Sequence, residues 1–114
     1  MVLYVYNTTI ATPNYSPATI RMIRVSTEHA KELFFDRRTG RKAEFVSAIG
    51  HQSAATVISR LLGVDIPANR IEAKQENGDS VLAFKLKTRI PEGTILSVEQ
   101  MQALDYEFWL MYFS

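Results

Sequence analysis

A chain of 114 residues, 46% hydrophobic and 22% charged, has room for one core, so a single domain over residues 1–114 is expected. A formal charge of +1 gives no broadly basic face for gripping duplex, and no sequence-specific DNA partner is expected. The absence of cysteine excludes disulfides, thiolate zinc sites and a cysteine nucleophile; no apolar run approaches the ~20 residues of a bilayer span and nothing resembles a signal peptide, so a cytoplasmic protein without membrane attachment is expected.

Residues 2–6 alternate and are rich in aromatics, which reads as a strand ending at the polar Asn7-Thr8-Thr9. Pro13 and Pro17, with Asn14 and Ser16, make 12–17 a loop. A second strand is expected over 18–25, with Ile20, Met22 and Arg24 on one face. Ser26 is placed to cap a helix over 27–35 that buries Ala30, Leu33 and Phe34. A basic turn around Gly40 follows, carrying Arg37, Arg38, Arg41 and Lys42, and then a short extended stretch over 43–48. After Ile49-Gly50-His51-Gln52-Ser53, the spacing of Ala54, Val57, Ile58, Leu61 and Leu62 predicts a second helix, with Gly63 as the residue that ends it.

Residues 64–69 read as a loop, and 70–75 and 80–89 as two strands joined at the hairpin signal Asn77-Gly78. Pro91-Glu92-Gly93 breaks the chain again, and Ser97 with Gln100 forms a capping box for a short helix. The final stretch, 106–113, is apolar on both faces; it is either a central strand or partly covered by a second subunit. The expected fold is α/β, a single mixed β-sheet of about five to six strands with flanking helices.

Two histidines are present. His29 falls mid-helix among acidic neighbours and reads as a solvated side chain. His51 stands at the mouth of the second helix, after a glycine that permits close approach or an unusual dihedral. The first-turn amides of Gln52, Ser53 and Ala54 lack intrahelical partners and form a site for an anion. An imidazole there can protonate the oxygen departing from a bound phosphate, while a capping or packing role stays open. The helix dipole disfavours imidazolium at that point and a bound phosphate favours it.

Arg89 and Glu92 are a second candidate, either a local ion pair or a phosphate-gripping arginine oriented by its carboxylate. Arg70, at a loop-to-strand junction, is a third. The chain has no Walker A motif, no GxGxxG, no HExxH and no acidic cluster for two-metal chemistry, so neither a metal nor a cofactor is expected.

Five collinear blocks carry a resemblance over nearly the whole chain. They are Leu3-Tyr4-Val5-Tyr6-Asn7-Thr8; Ser47-Ala48-Ile49-Gly50-His51-Gln52-Ser53; Leu61-Leu62-Gly63-Val64-Asp65-Ile66-Pro67-Ala68-Asn69-Arg70-Ile71-Glu72; Gly78-Asp79 through Phe84-Lys85-Leu86-Lys87 to Arg89-Ile90-Pro91-Glu92-Gly93; and Tyr106-Glu107-Phe108. Together they resemble the viral ring nucleases, the type III anti-CRISPR proteins of archaeal viruses and bacteriophages, which have cellular and prophage relatives.

The resemblance implies a homodimer that binds cyclic tetra-adenylate across its interface and cleaves it without a metal. By motif, His51 would be the general acid, with Arg89 and Glu92 completing the catalytic site. Asn7, Thr8, Ile49, Gly50, Arg70 and Lys85 would form the ligand-binding set. The sequence departs from the family pattern at Ala54, where relatives often carry Thr, and in the longer basic turn at 36–42. The competing readings are a non-catalytic cyclic-nucleotide sponge, a nucleic-acid-binding viral regulator using that turn, and a structural viral protein whose last strand is its contact surface.

Overall fold

The structure, a computed structural model, describes residues 2–10, 12–35, 38–40, 43–87 and 96–114. Local signals account for its helices. Ser26 caps α1 (Thr27–Glu32) by accepting the His29 backbone N–H at 3.1 Å. The helix stops at Glu32, short of the expected 35, and the chain turns so that Phe34 still enters the core beneath Ala30. In α2 (Gln52–Leu62) the buried residues are Ala55, Val57, Ile58, Leu61 and Leu62, with Ala54 at the margin of the core. Gly63 ends this helix at φ 68°, a conformation that disfavours a side chain, and its N–H reaches the Ser59 carbonyl at 2.9 Å. The Ser59 hydroxyl then donates to the Ile66 carbonyl and accepts the Ile66 N–H, folding Val64 and Ile66 back onto the core. α3 (Val98–Gln102) opens with both hydrogen bonds of a capping box between Ser97 and Gln100, and it buries Met101.

Five strands, β1 (Leu3–Tyr6), β2 (Ile20–Val25), β3 (Val46–Ser47), β4 (Ser80–Leu86) and β5 (Tyr106–Phe113), form one mixed sheet in the order β2-β5-β4-β1-β3. β1 runs parallel to both β3 and β4, while β5 is antiparallel to β4 and β2. As an interior strand, β5 packs on both sides: Phe108 and Leu110 lie under the helices, and Met111 and Phe113 on the opposite face. That position accounts for its apolar character on both faces.

The three helices cover one face of the sheet, packing on Val5, Val25, Leu82, Phe84, Phe108 and Leu110. The other face carries Tyr6, Val81, Ala83, Met111 and Phe113, and it is covered by loop residues such as Tyr15 and Ala73. Ile20, Met22 and Arg24 do share a face, but it is this helix-free one; Met22 stays exposed, and Ile23 and Val25 enter the main core.

The expected strand over 70–75 is absent. That segment joins the sheet nowhere, and its one bridge is parallel, from Gln75 to Pro13 in the covering loop. The Asn77-Gly78 turn does form, with Gly78 at φ 94°, but it leads from a loop into β4 and joins no hairpin. A two-residue turn signal is local and carries no information on what its flanks pair with.

Candidate functional site

The three parallel strands β1, β3 and β4 end on the same side of the sheet, where open α/β sheets form ligand crevices. From β1 the chain passes into Asn7 and Thr8; from β3 it passes through Ala48, Ile49 and Gly50 into α2. The Ala48 N–H extends the ladder to the Val5 carbonyl at 2.9 Å, which sets these two exits side by side.

His51 occupies the N-cap position of α2 with extended dihedrals (φ −128°, ψ 130°). Its imidazole is exposed and makes no capping hydrogen bond, so it is neither the cap of α2 nor part of the core. The first turn of α2 contains no acidic residue, so the helix itself places no carboxylate at the positive end of its dipole. At eleven residues α2 is long enough for its amides to face a ligand as a group.

Arg70 is brought to the same mouth by a clamp. Asn69 donates its side-chain amide to the Ser47 carbonyl and its backbone N–H to the Ile49 carbonyl, both at 2.8 Å. The buried Ser47 hydroxyl donates to the Pro67 carbonyl at 2.6 Å and accepts the Ile49 N–H at 3.4 Å. The 67–70 loop is thereby stitched to the segment entering α2. A methyl group on Gly50 would lie 3.6 Å from Arg70 Nε and 4.0 Å from its Cγ, so the arginine stem runs directly over Gly50. That spacing is ordinary contact, and Gly50 is not among the glycines of positive φ; neither tight approach nor an unusual dihedral demands glycine here.

Asn7, Thr8, Gly50, His51 and Arg70 therefore share one rim. Thr8 sits in a turn, its hydroxyl accepting the Ile10 N–H at 3.4 Å. The Ile49 side chain is fully buried in the main core, and both its backbone groups are engaged in the clamp.

Lys85 lies on the helix-free face, across the ladder from Glu107. Burial pushes the Glu107 carboxyl up, but the Trp109 indole N–H at 3.4 Å and the cations Lys87, Arg24 and Lys85 outweigh it and hold the group below its usual range. Arg24 approaches Glu107 at 3.2 Å and Lys87 at 3.6 Å. Arg89 and Glu92, which follow β4 in sequence, lie outside the described residues, as do Arg37, Arg41 and Lys42 of the basic turn. His29 is exposed, as expected of a solvated helical histidine.

A separate hollow of about 240 Å³ lies between α1, α3 and the last turns of α2, with Lys31, Arg60, Leu61 and Met101 in its wall. Arg60 lies eight residues along α2 from Gln52, about 12 Å at the helical rise, so this hollow is distinct from the mouth. Sequence reasoning missed Ser47, Asn69 and Gln75 as supporting residues. Ser47 and Asn69 do fall inside the quoted blocks, whereas no signal marks Gln75.

The family described as STIV B116-like matches residues 3–108. Among curated proteins, the chain is 37% identical over 110 residues to the uncharacterized protein ORF117 of Acidianus two-tailed virus, covering 96% of this chain and 91% of that one. It is 38% identical over 84 residues to the uncharacterized protein 26 of a Sulfolobus islandicus filamentous virus, covering 73% of this chain and 66% of that one. Among solved structures, B116 of Sulfolobus turreted icosahedral virus superposes with a TM-score of 0.78 over 98% of this chain and 99% of its own, at 23% identity. That likeness establishes a shared fold.

Proposed function

The chain belongs to the STIV B116-like family, its relatives including proteins of archaeal viruses, and we propose that it is a metal-independent ring nuclease that cleaves cyclic tetra-adenylate. The observation that carries this reading is the exposed imidazole of His51 at the mouth of a helix whose first turn carries no acidic residue, with Arg70 lying over the neighbouring Gly50. The collinear blocks that resemble the viral ring nucleases supply the substrate.

In the proposed reaction a ribose 2′-OH attacks the adjacent phosphorus in line. The P–O2′ bond forms, the P–O5′ bond breaks, His51 protonates the departing 5′ oxygen, and the 2′ proton passes to water. The products are linear di-adenylates with 2′,3′-cyclic phosphate ends. The nucleophile is internal to the substrate, so the protein's main task is positioning. The α2 amides and Arg70 hold phosphate, Arg89 steadies the charge that grows on the phosphoryl oxygens, and Glu92 orients Arg89 or a substrate hydroxyl. A two-fold dimer would present two copies of His51 to opposite phosphates of the ring. Such an activity in a host cytoplasm would antagonise type III CRISPR signalling.

The test is to incubate wild type and His51→Ala with labelled cyclic tetra-adenylate in EDTA. Wild type is expected to yield the two dinucleotides, and His51→Ala to be slower by about 10²- to 10⁴-fold, the usual contribution of a positioned acid. An intact ring after incubation with wild type, or equal rates, overturns the reading. Tight binding without cleavage points to a sponge, and strongly salt-dependent binding of RNA or DNA to a nucleic-acid regulator.

A further inference from the structure

We infer that Gln75 is a positioning residue for the ligand rim: it closes a buried ring of hydrogen bonds with Tyr6 and Thr12 that holds the Asn7–Thr8 turn and the Arg70 loop as one unit. The inference rests on the reading of that rim as the site for a cyclic oligonucleotide.

Gln75 is fully buried, an unusual place for a glutamine. Its Nε2 donates to the Tyr6 hydroxyl. Its Oε1 accepts the Thr12 N–H at 3.2 Å and lies 2.9 Å from the Thr12 hydroxyl. The Tyr6 oxygen is 3.0 Å from Thr12 Oγ1 and 3.2 Å from the Ala73 carbonyl, which is itself 2.9 Å from Thr12 Oγ1. Tyr6 and Thr12 have one hydroxyl proton each, and the three acceptors Oγ1, Oε1 and the Ala73 carbonyl share those two protons. The Gln75 NH2 group, donating to the Tyr6 hydroxyl, and the Thr12 backbone N–H, donating to Gln75 Oε1, bring further protons to this cluster. The main chain adds to the joint, with Gln75 N–H donating to the Thr12 carbonyl at 3.0 Å and Asn14 N–H to the Gln75 carbonyl at 2.8 Å.

The placement of these groups gives the ring its consequence. Tyr6 is the last residue of β1, so Asn7 and Thr8 follow it directly, and Thr12 closes their turn from the far side. Ala73 and Gln75 close the far end of the segment that starts at Arg70, whose near end Asn69 pins to Ser47 and Ile49. Among the described residues between these anchors, neither segment belongs to a strand. With the ring intact, both rim segments are ordered before the ligand arrives. Without it the competent arrangement is populated only part of the time, and apparent affinity falls by that fraction. The bound complex, once formed, has the same chemistry.

The test compares Gln75→Met, which keeps length and removes the amide, with Tyr6→Phe, which removes one hydroxyl from the opposite corner. Val81→Ala, an apolar truncation on the same sheet face, is the control. The first readout is backbone amide hydrogen exchange without ligand. Gln75→Met and Tyr6→Phe are each expected to raise exchange about tenfold or more in residues 7–10 and 69–74 together, while α2 stays protected. The second is the dissociation constant for cyclic tetra-adenylate, expected to rise about tenfold while the single-turnover rate at saturation stays within about twofold. Exchange that rises in 69–74 alone, or equally in Val81→Ala, overturns the inference. So does wild-type affinity in Gln75→Met, provided that wild type binds the ring. If wild type binds no cyclic tetra-adenylate, the functional reading falls, and the exchange data still decide whether Gln75 couples the two segments. Should Gln75→Met not fold, Tyr6→Phe decides alone.

Discussion

The two faces of the sheet are covered in different ways. Under the helices the contacts are apolar: Phe34 stands edge-on to Phe45 at 5.2 Å, and Ile58, Leu62, Leu82 and Phe108 fill the space around them. The opposite face is closed by loops, and three of the buried polar residues, Gln75, Asp79 and Glu107, lie there, while Ser47 sits level with Val5 on the helix side. Gln75 ties two loops to Tyr6; Asp79 accepts the Val2 N–H at 2.9 Å and the Glu76 N–H at 2.8 Å; Glu107 is held by Trp109, Lys87 and Arg24. Volume specifies the first face and donor–acceptor matching the second. Apolar contacts are non-directional and tolerate exchange of one hydrocarbon for another of like size, whereas a buried hydrogen-bonded ring fixes relative orientation and tolerates little. The rim residues Asn7, Thr8 and Arg70 are attached through the second kind.

This contrast can be broken by substitution on each side. Phe34→Ala should have the largest effect on stability, about 3–5 kcal/mol from lost burial and the residual cavity, read from the urea midpoint at unchanged m. Asp79→Ala should cost less, about 1–3 kcal/mol, because it strips two backbone N–H groups of their acceptor without emptying the core. A larger loss for Asp79→Ala than for Phe34→Ala would mean that the loop side, and not the helix side, dominates stability.

Glu107→Gln should have the smallest effect at neutral pH, since Arg24 and Lys87 are largely exposed and solvent screens them. Its signature is in acid. A carboxyl whose folded pKa is lowered adds stability above its ordinary value of ~4.3, and that contribution is lost as pH falls through the lower folded value. Melting temperatures measured from about pH 7 down to pH 3 should therefore fall less steeply for Glu107→Gln than for wild type. Parallel curves would remove Glu107 from the account of this face.

The helix side was the more legible in sequence for the same reason. Ser26, Gly63 and the Ser97–Gln100 box are local signals, read within four residues of where they act, and the 3–4 spacing of Val57, Ile58, Leu61 and Leu62 is the core face itself. The loop side depends on partners 61 to 77 residues apart, such as Thr12 with Ala73 and Val2 with Asp79, and no periodicity reports them. Gln75 in sequence looks like any surface glutamine. The segment 70–75 looks like a strand because Ile71 and Ala73 alternate with polar residues, yet in the structure Ile71 is exposed, Ala73 half-buried and Gln75 buried, so the alternation marks no common buried face. At the site, the blocks around His51 and Arg70 were legible as motifs. The Ser47–Asn69 clamp that joins them is a product of folding.

The outer rim of β2 has one further consequence. Among the described residues β2 pairs only with β5, so its outward row of N–H and C=O groups is a template on which another strand could build. Arg21 and Arg24 interrupt that row with charge, and Arg24 is kept in place by Glu107. Without the two arginines, Ile20, Met22, Ile23 and Val25 would dominate an uncharged, β-prone run of six residues, the composition from which fibrils nucleate. The small ion-pair cluster at Glu107 thus bears on solubility as well as on acid stability, by guarding the sheet against growth from its own edge.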